Sequence, residues 1–239
     1  LRSFAKGVAM FDYLRDPQEI YRQSFATIEA EADLARFPEE LRSVAVRIIH
    51  ACGMVEKGDL IAFGGDVVTA AIRSLQNGKP ILCDAEMVRH GIIYRLLPQQ
   101  NPVICTLNID GNAERAAKLA TTRSAAAIED WADHIDGAII AIGNAPTALF
   151  HLLEALISNR LAKPALIIGM PVGFVGAEES KEALIAHAGD IPFVTLRGRF
   201  GGSAVTAATL NALARLASPG QTPDGTATKP TDPDKGNGK

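Results

Sequence analysis

Ala138-Ile139-Ile140-Ala141-Ile142 carries no polar side chain at any position. A strand with one face in water alternates apolar and polar residues, so an unbroken apolar run of this length predicts a strand covered on both faces. The pattern recurs in Ile81-Leu82-Cys83, Val103-Ile104-Cys105-Thr106-Leu107, Ala165-Leu166-Ile167-Ile168 and Phe193-Val194-Thr195-Leu196. Helix candidates accompany these runs near residues 85–94, 112–134, 146–160, 177–188 and 202–216. Five β-then-α units predict an α/β fold, an open doubly wound, mostly parallel five-stranded sheet with helices on both faces. Ligands of such sheets bind beyond the carboxyl ends of the strands. That points to Asp84, Asn144, Met170 to Gly173 and Arg197 to Ser203.

The first sixty residues, ahead of the strands, read as a helical segment. Asp16-Pro17 supplies an N-cap and a proline for the first helical position, and Ile20, Tyr21, Ser24, Phe25 and Ile28 then fall on one side of a helix. A second helix runs from about Pro38 to Cys52 with Leu41, Val44, Ala45, Ile48 and Cys52 as its apolar stripe, and Gly53 stops it. Ser218 to Lys239 is rich in Pro, Gly, Asp and Lys, with Ala227 its only apolar side chain. Such a segment buries too little surface to offset its chain entropy and reads as a disordered tail. Residues 12–217 read as a single α/β domain. Residues 1–11 read as an N-terminal extension with an open start, Met10 being an alternative first residue to Leu1.

Of the 239 residues 47% are apolar and 21% charged, which excludes a chain disordered throughout. A formal charge of −3 gives no overall field for nucleic acid or an anionic membrane, so recognition of anions has to be local. The stretch before Phe11 lacks the apolar core of a signal peptide, and no charge-free apolar run is long enough to span a bilayer. Cys52, Cys83 and Cys105 follow no metal or redox spacing and fit buried thiols in a reducing compartment. The chain therefore reads as cytoplasmic.

Chemistry concentrates at few positions. At about 100° per residue, His50 falls opposite the apolar stripe of its helix, beside Ser43 and Arg47. It is a group that moves protons near neutral pH, an idle surface imidazole, or one packed on another element. Tyr21 and Ser24 point the same way on the first helix: either they line a pocket, or Ser24 bonds back to its own helix while Tyr21 reaches water. Arg123 sits among small residues in Ala120 to Ala127, suited to a carboxylate or to a structural ion pair. The glycine-rich turns Gly169 to Gly176 and Arg197 to Ser203 match neither the dinucleotide fingerprint nor the phosphate loop, which weighs against a nucleotide-dependent enzyme. Backbone N–H groups at Gly201, Gly202 and Ser203 suit a carboxylate, although tight packing also explains the glycines. His90, His134, His151 and His187 show no metal-ligand spacing.

Several of these residues lie in ordered blocks. They are Asp12-Tyr13-Leu14-Arg15-Asp16-Pro17, Ile20-Tyr21, Ser24-Phe25, Arg47-Ile48-Ile49-His50-Ala51-Cys52-Gly53, Ile81 to Met87, Thr122-Arg123-Ser124, Ile142 to Leu149, Gly169 to Val175 and Gly201-Gly202-Ser203-Ala204. Together, from about Asp12 to Leu216, they resemble the precorrin-8X methylmutase family of cobalamin biosynthesis. The resemblance implies a homodimeric isomerase with an open α/β sheet and no metal or organic cofactor. It would move a methyl group from C-11 to C-12 of precorrin-8X to give hydrogenobyrinic acid. It places the family's catalytic histidine on His50 and its pocket group on Tyr21, Ser24 and Arg123. Asp84, Asn144 and the Gly201-Gly202-Ser203 turn join the substrate contacts by their place at the strand ends. A non-catalytic corrinoid carrier is the alternative, needing the same pocket but no titratable group at the shift centre.

Overall fold

The computed structural model describes residues 11–218. Residues 1–10 of the expected extension, and the expected tail from 219 onward, lie outside the described residues. The chain opens with α1 (Pro17–Glu31) and α2 (Glu39–Cys52), then a 3-10 turn (Val55–Leu60). There follow β1 (Ile61–Gly64), α3 (Val67–Gln76), β2 (Ile81–Cys83), α4 (Glu86–Gly91), β3 (Val103–Cys105), α5 (Asn112–Lys118) and α6 (Arg123–Ala126). The fold closes with β4 (Ile139–Ile142), α7 (Pro146–Ile157), β5 (Leu166–Gly169), α8 (Ala177–His187), β6 (Phe193–Leu196) and α9 (Ser203–Ala217).

Local chemistry sets the helix ends. Asp16 accepts the Gln18 N–H at 3.0 Å with Pro17 at the first helical position of α1. Gly53 ends α2 in the left-handed region at φ 66°, which its missing Cβ permits. The stripe Leu41, Val44, Ala45 and Ile48 is buried and Cys52 half-buried.

The sheet has six strands in the order β1-β6-β5-β4-β2-β3. All pairs are parallel except β1 with β6, where Ile61 faces Leu196 and Gly64 faces Phe193. The expected five strands form as a parallel set, and β1 is the addition. It lacked a sequence signal because its apolar run, Ile61-Ala62-Phe63, is cut short by Gly64 and followed by Gly65. Glycine is required there, since a Cβ on Gly64 would run into the Phe193 ring. Between β1 and β2 lies α3, also absent from the expected elements; Asp66 caps it by accepting the Thr69 N–H at 3.1 Å. The expected helix over 112–134 is broken. Ala120 turns to φ 49°, Thr122 starts a new helix by accepting the Ala125 N–H at 3.1 Å, and the remainder winds as a 3-10 turn over Ala127–Trp131.

Helices cover both faces. On one side α2, α3, α4 and α9 pack on Ile81, Cys83, Ile139, Ala141, Ile168 and Val194. On the other, α7, α8 and the Ala127–Trp131 turn pack on the alternating residues Leu82, Ile140, Ile142 and Ile167. Removing this surface from water is the main stabilising term, at roughly 25 cal/mol per Å². No helix among the described residues is long and apolar enough to cross a membrane.

Candidate active site

Chain order reverses between β2 and β4: β3 lies outside β2, whereas β4, β5 and β6 continue the other way. The crevice beyond the carboxyl ends of two such strands is the expected ligand position. Asp84 follows β2 and spans it. Its Oδ1 accepts the Gly143 N–H at 2.9 Å, and its Oδ2 accepts those of Asn144 at 2.9 Å and Ala145 at 2.7 Å. Burial pushes the Asp84 carboxyl above its ordinary value, against the pull of these three donors. At 2% exposure and with both oxygens engaged, Asp84 holds the turn after β4 instead of facing the crevice. Asn144 is left exposed by that turn.

The neighbouring turns are packed backbone to backbone. A Cβ on Gly143 would lie 2.7 Å from Thr206 Oγ1 and 3.0 Å from Ser203 Cα, so the β4 turn rests on the start of α9. A Cβ on Gly201 would run into the Met170 carbonyl, and the Gly202 N–H donates to that oxygen at 2.8 Å. Gly202 sits at φ 121°, and no side chain caps α9. Tight packing thus accounts for Gly143 and Gly201, while the amino end of α9 opens at the carboxyl edge of the sheet. Ser203 is buried there.

Arg123 begins α6 and is exposed. Its Nη2 donates to Asn108 Oδ1 at 2.9 Å and to the Leu107 carbonyl at 3.2 Å. Both acceptors are neutral, and the structural ion pair considered for Arg123 is not formed among the described residues. A hydroxyl pair at 2.8 Å, Thr122 Oγ1 with Thr147 Oγ1, ties the start of α6 to that of α7. Arg123 and Asn144 are thereby set along one edge.

His50 lies in the last turn of α2 and packs on α1. Its ring stacks on Tyr21 with centroids 5.9 Å apart and planes at 29°, and meets Phe25 edge-on at 5.3 Å and 81°. Of the alternatives open to this histidine, packing on another element is realised while the ring stays exposed. The Arg47 guanidinium lies 4.4 Å over the Phe25 ring and 5.6 Å over that of Tyr21. Partial burial first, and the Arg47 cation second, hold the His50 imidazole below its ordinary pKa, so the ring is neutral at neutral pH. Ser24 is half-buried on α1 beside these rings, and its hydroxyl makes no hydrogen bond among the described residues, so the bond back to its own helix is not formed. Phe25 and Arg47 were readable only as an apolar and a polar face position. Their spacings, four residues after Tyr21 and three before His50, are the signals that place them here.

The sequence candidates therefore form two groups. Tyr21, Ser24 and His50 gather on α1 and α2; Asp84, Asn144, Arg123 and the Gly201-Gly202-Ser203 turn gather at the strand ends. No hydrogen bond or ring contact joins the groups among the described residues, but α2 packs along α9, whose first turn belongs to the second group. No cluster of three or more His, Cys, Asp or Glu is placed to hold a metal ion among the described residues.

The sequence model of the precorrin-8X methylmutase family matches residues 19–216. The chain is 55% identical over 205 residues to a precorrin-8X methylmutase of Sinorhizobium sp, covering 86% of this chain and 97% of that one. It is equally 55% identical over 205 residues to the precorrin-8X methylmutase of Pseudomonas aeruginosa, covering 86% and 98%. The crystal structure of the precorrin-8X methyl mutase from Thermus thermophilus superposes with a TM-score of 0.75 at 38% identity, covering 84% of this chain and 96% of that one. By family match, identity and fold together, the chain belongs to the precorrin-8X methylmutase family.

Proposed function

We propose that this protein is an isomerase that moves the methyl group of precorrin-8X from C-11 to C-12, giving hydrogenobyrinic acid, and that His50 is the group that acts on the reacting ring. The observation that carries the reading is the imidazole of His50, held open to solvent between Tyr21 and Phe25 in a chain of this family. The rearrangement is unimolecular: one carbon–carbon bond breaks, another forms on the adjacent ring carbon, and no electrons leave the substrate. The protein has to orient the macrocycle, exclude water and bias its protonation. A neutral imidazole has one N–H to donate, and a hydrogen bond to a ring nitrogen draws electron density toward that nitrogen as the methyl group moves. Orientation supplies the larger share of the acceleration.

Tyr21 and Ser24 line the face on which the ring lies. Arg123 and the N–H groups at the start of α9 take carboxylate arms, with Asn144 beside them and Asp84 positioning the turn that carries it. Both relatives at 55% identity are named for the metal-free substrate, which supports precorrin-8X over its cobalt-containing counterpart. The protein works in the cytoplasm. Incubating it with precorrin-8X and following the absorption spectrum of hydrogenobyrinic acid tests the assignment; binding without conversion would leave the carrier reading standing.

Arg123 clamps ground and transition states alike, so Arg123→Ala is expected to weaken affinity for hydrogenobyrinic acid by about 1.5–3 kcal/mol while slowing the bound rearrangement far less. Titration of the product into the variant checks this, and unchanged affinity would assign Arg123 to structure. The working form is a homodimer, as a macrocycle exceeds the cleft that one small subunit usually encloses. Light scattering at micromolar concentration is expected to give about twice the chain mass of 25.3 kDa, and a monomer at that concentration would exclude it.

A further inference from the structure

Lys181, on α8, is fully buried at 0% exposure. A lysine is almost never buried to this extent without an acid to pair with it. Lys79 and Lys163 have such acids in Asp136 and Asp190, but no carboxylate pairs with Lys181 among the described residues. Its Nζ donates instead to the Phe200 carbonyl at 2.7 Å, the length of a charge-assisted bond. That carbonyl belongs to the turn between β6 and α9, where neighbouring groups are also engaged. Arg197 pairs with Glu182 of α8 at 2.6 Å, the Arg199 carbonyl accepts the Gly173 N–H at 3.2 Å, and the Gly202 N–H donates to the Met170 carbonyl. The Gly201 N–H is left with no acceptor among the described residues.

We infer that Lys181 is a positioning residue of the site, which from behind the turn orients and polarises the Gly201 N–H as the donor to one carboxylate arm of the macrocycle. The inference rests on the reading above that the turn before α9 meets such arms, and it adds the donor and the group that aims it. The Phe200–Gly201 peptide is trans, so its N–H points opposite to its carbonyl. α8 covers one face of the sheet, whereas α2 and α9 cover the other. An ammonium that draws the carbonyl toward α8 therefore turns the N–H toward the side that carries His50. A cation on the carbonyl also pulls electron density from the amide nitrogen, which makes the N–H of that peptide a stronger donor. Burial serves this task. A lysine in solvent would hold the carboxylate itself on a flexible stem, while one locked behind the peptide fixes a rigid donor and stays clear of the arm.

The test follows the Gly201 amide proton by NMR in the full-length protein, free and saturated with hydrogenobyrinic acid, and measures product affinity beside it for the parent, Lys181→Met and Lys181→Gln. Methionine fills the space of the stem and leaves the Phe200 carbonyl without its donor; glutamine supplies a shorter, neutral donor. In the parent, the Gly201 amide proton is expected to move downfield when product binds. In Lys181→Met the free signal should lie upfield of the parent's, the movement on binding should be lost, and product affinity should fall about 10-fold. Lys181→Gln should recover part of both. A parent signal indifferent to product, or a Lys181→Met variant that binds product as the parent does, overturns the inference and leaves the assignment of the reaction intact. Lost affinity in Lys181→Met with the movement of Gly201 retained reduces Lys181 to a lock on the fold and also overturns it. Should Lys181→Met not fold, the parent titration and Lys181→Gln decide, and a Lys181→Gln variant that matches the parent in signal and affinity overturns the role of the charge. If the parent itself fails to bind hydrogenobyrinic acid, the inference and the proposed reaction fall together.

Discussion

Replacing His50 by alanine is expected to slow the rearrangement roughly 10²- to 10⁴-fold, the range that a positioned proton donor commonly contributes, while the protein folds and binds product. Folding survives because the imidazole lies outside the buried stripe of α2, and its ring contacts among the described residues are with the exposed ring of Tyr21 and the half-buried ring of Phe25. Binding survives because the arms are held elsewhere. Single-turnover conversion of precorrin-8X, measured beside affinity for hydrogenobyrinic acid in the same variant, separates the outcomes. Conversion near the parent rate would discard the catalytic role; lost affinity with a normal rate for the bound fraction would make His50 a recognition residue. The parent enzyme adds a pH signature. Because the imidazole is held below its ordinary value near 6.5, its neutral form predominates down through neutral pH. kcat/KM should fall only as acidity passes that lowered value, and this limb should be missing from His50→Ala.

The other large effect is on stability. Asp84→Ala leaves three backbone N–H groups, those of Gly143, Asn144 and Ala145, without their acceptor at a buried seam. An unsatisfied buried donor costs about 1–3 kcal/mol, so the loss is expected to be on the order of 3 kcal/mol or more, which lowers Tm by roughly 10 °C in a domain of this size. Asp84→Asn keeps one acceptor oxygen and should lie between the two. A scanning-calorimetry Tm for Asp84→Ala within about 2 °C of the parent would show that the turn holds itself, by the same conversion.

The sheet was legible wherever burial on both faces wrote an unbroken apolar run, as in Ile139 to Ile142. It was illegible at β1, an edge strand of four residues whose glycine end is dictated by the Phe193 ring, a contact between positions far apart in the chain. The break at Ala120 was hidden because alanine favours helix; the exposed Ala120 takes positive φ in a local helix end, where the Thr121 N–H donates back to the Ala116 carbonyl at 3.0 Å. His50 stood out by helical phase alone. The task of Asp84 did not, because its three partners lie about sixty residues away and are backbone groups, which leave no side-chain signature.

The direction of β1 has a further consequence. Running against β6, it begins where β6 ends: Ile61 faces Leu196, the Arg197 N–H donates to the Leu60 carbonyl at 2.8 Å, and the Lys57 ammonium lies 5.3 Å over Phe200. The chain just before β1 is the 3-10 turn Val55–Leu60, which follows on the last turn of α2, so this reversal delivers the imidazole to the same end of the molecule as the glycine turns. A parallel strand in the same place would begin at the opposite end and carry the histidine with it. The pairing register of one short edge strand then works as a vernier on the separation between proton donor and carboxylate clamp. A two-residue slip keeps every β1 side chain on its own face while displacing the chain that precedes it by roughly 7 Å.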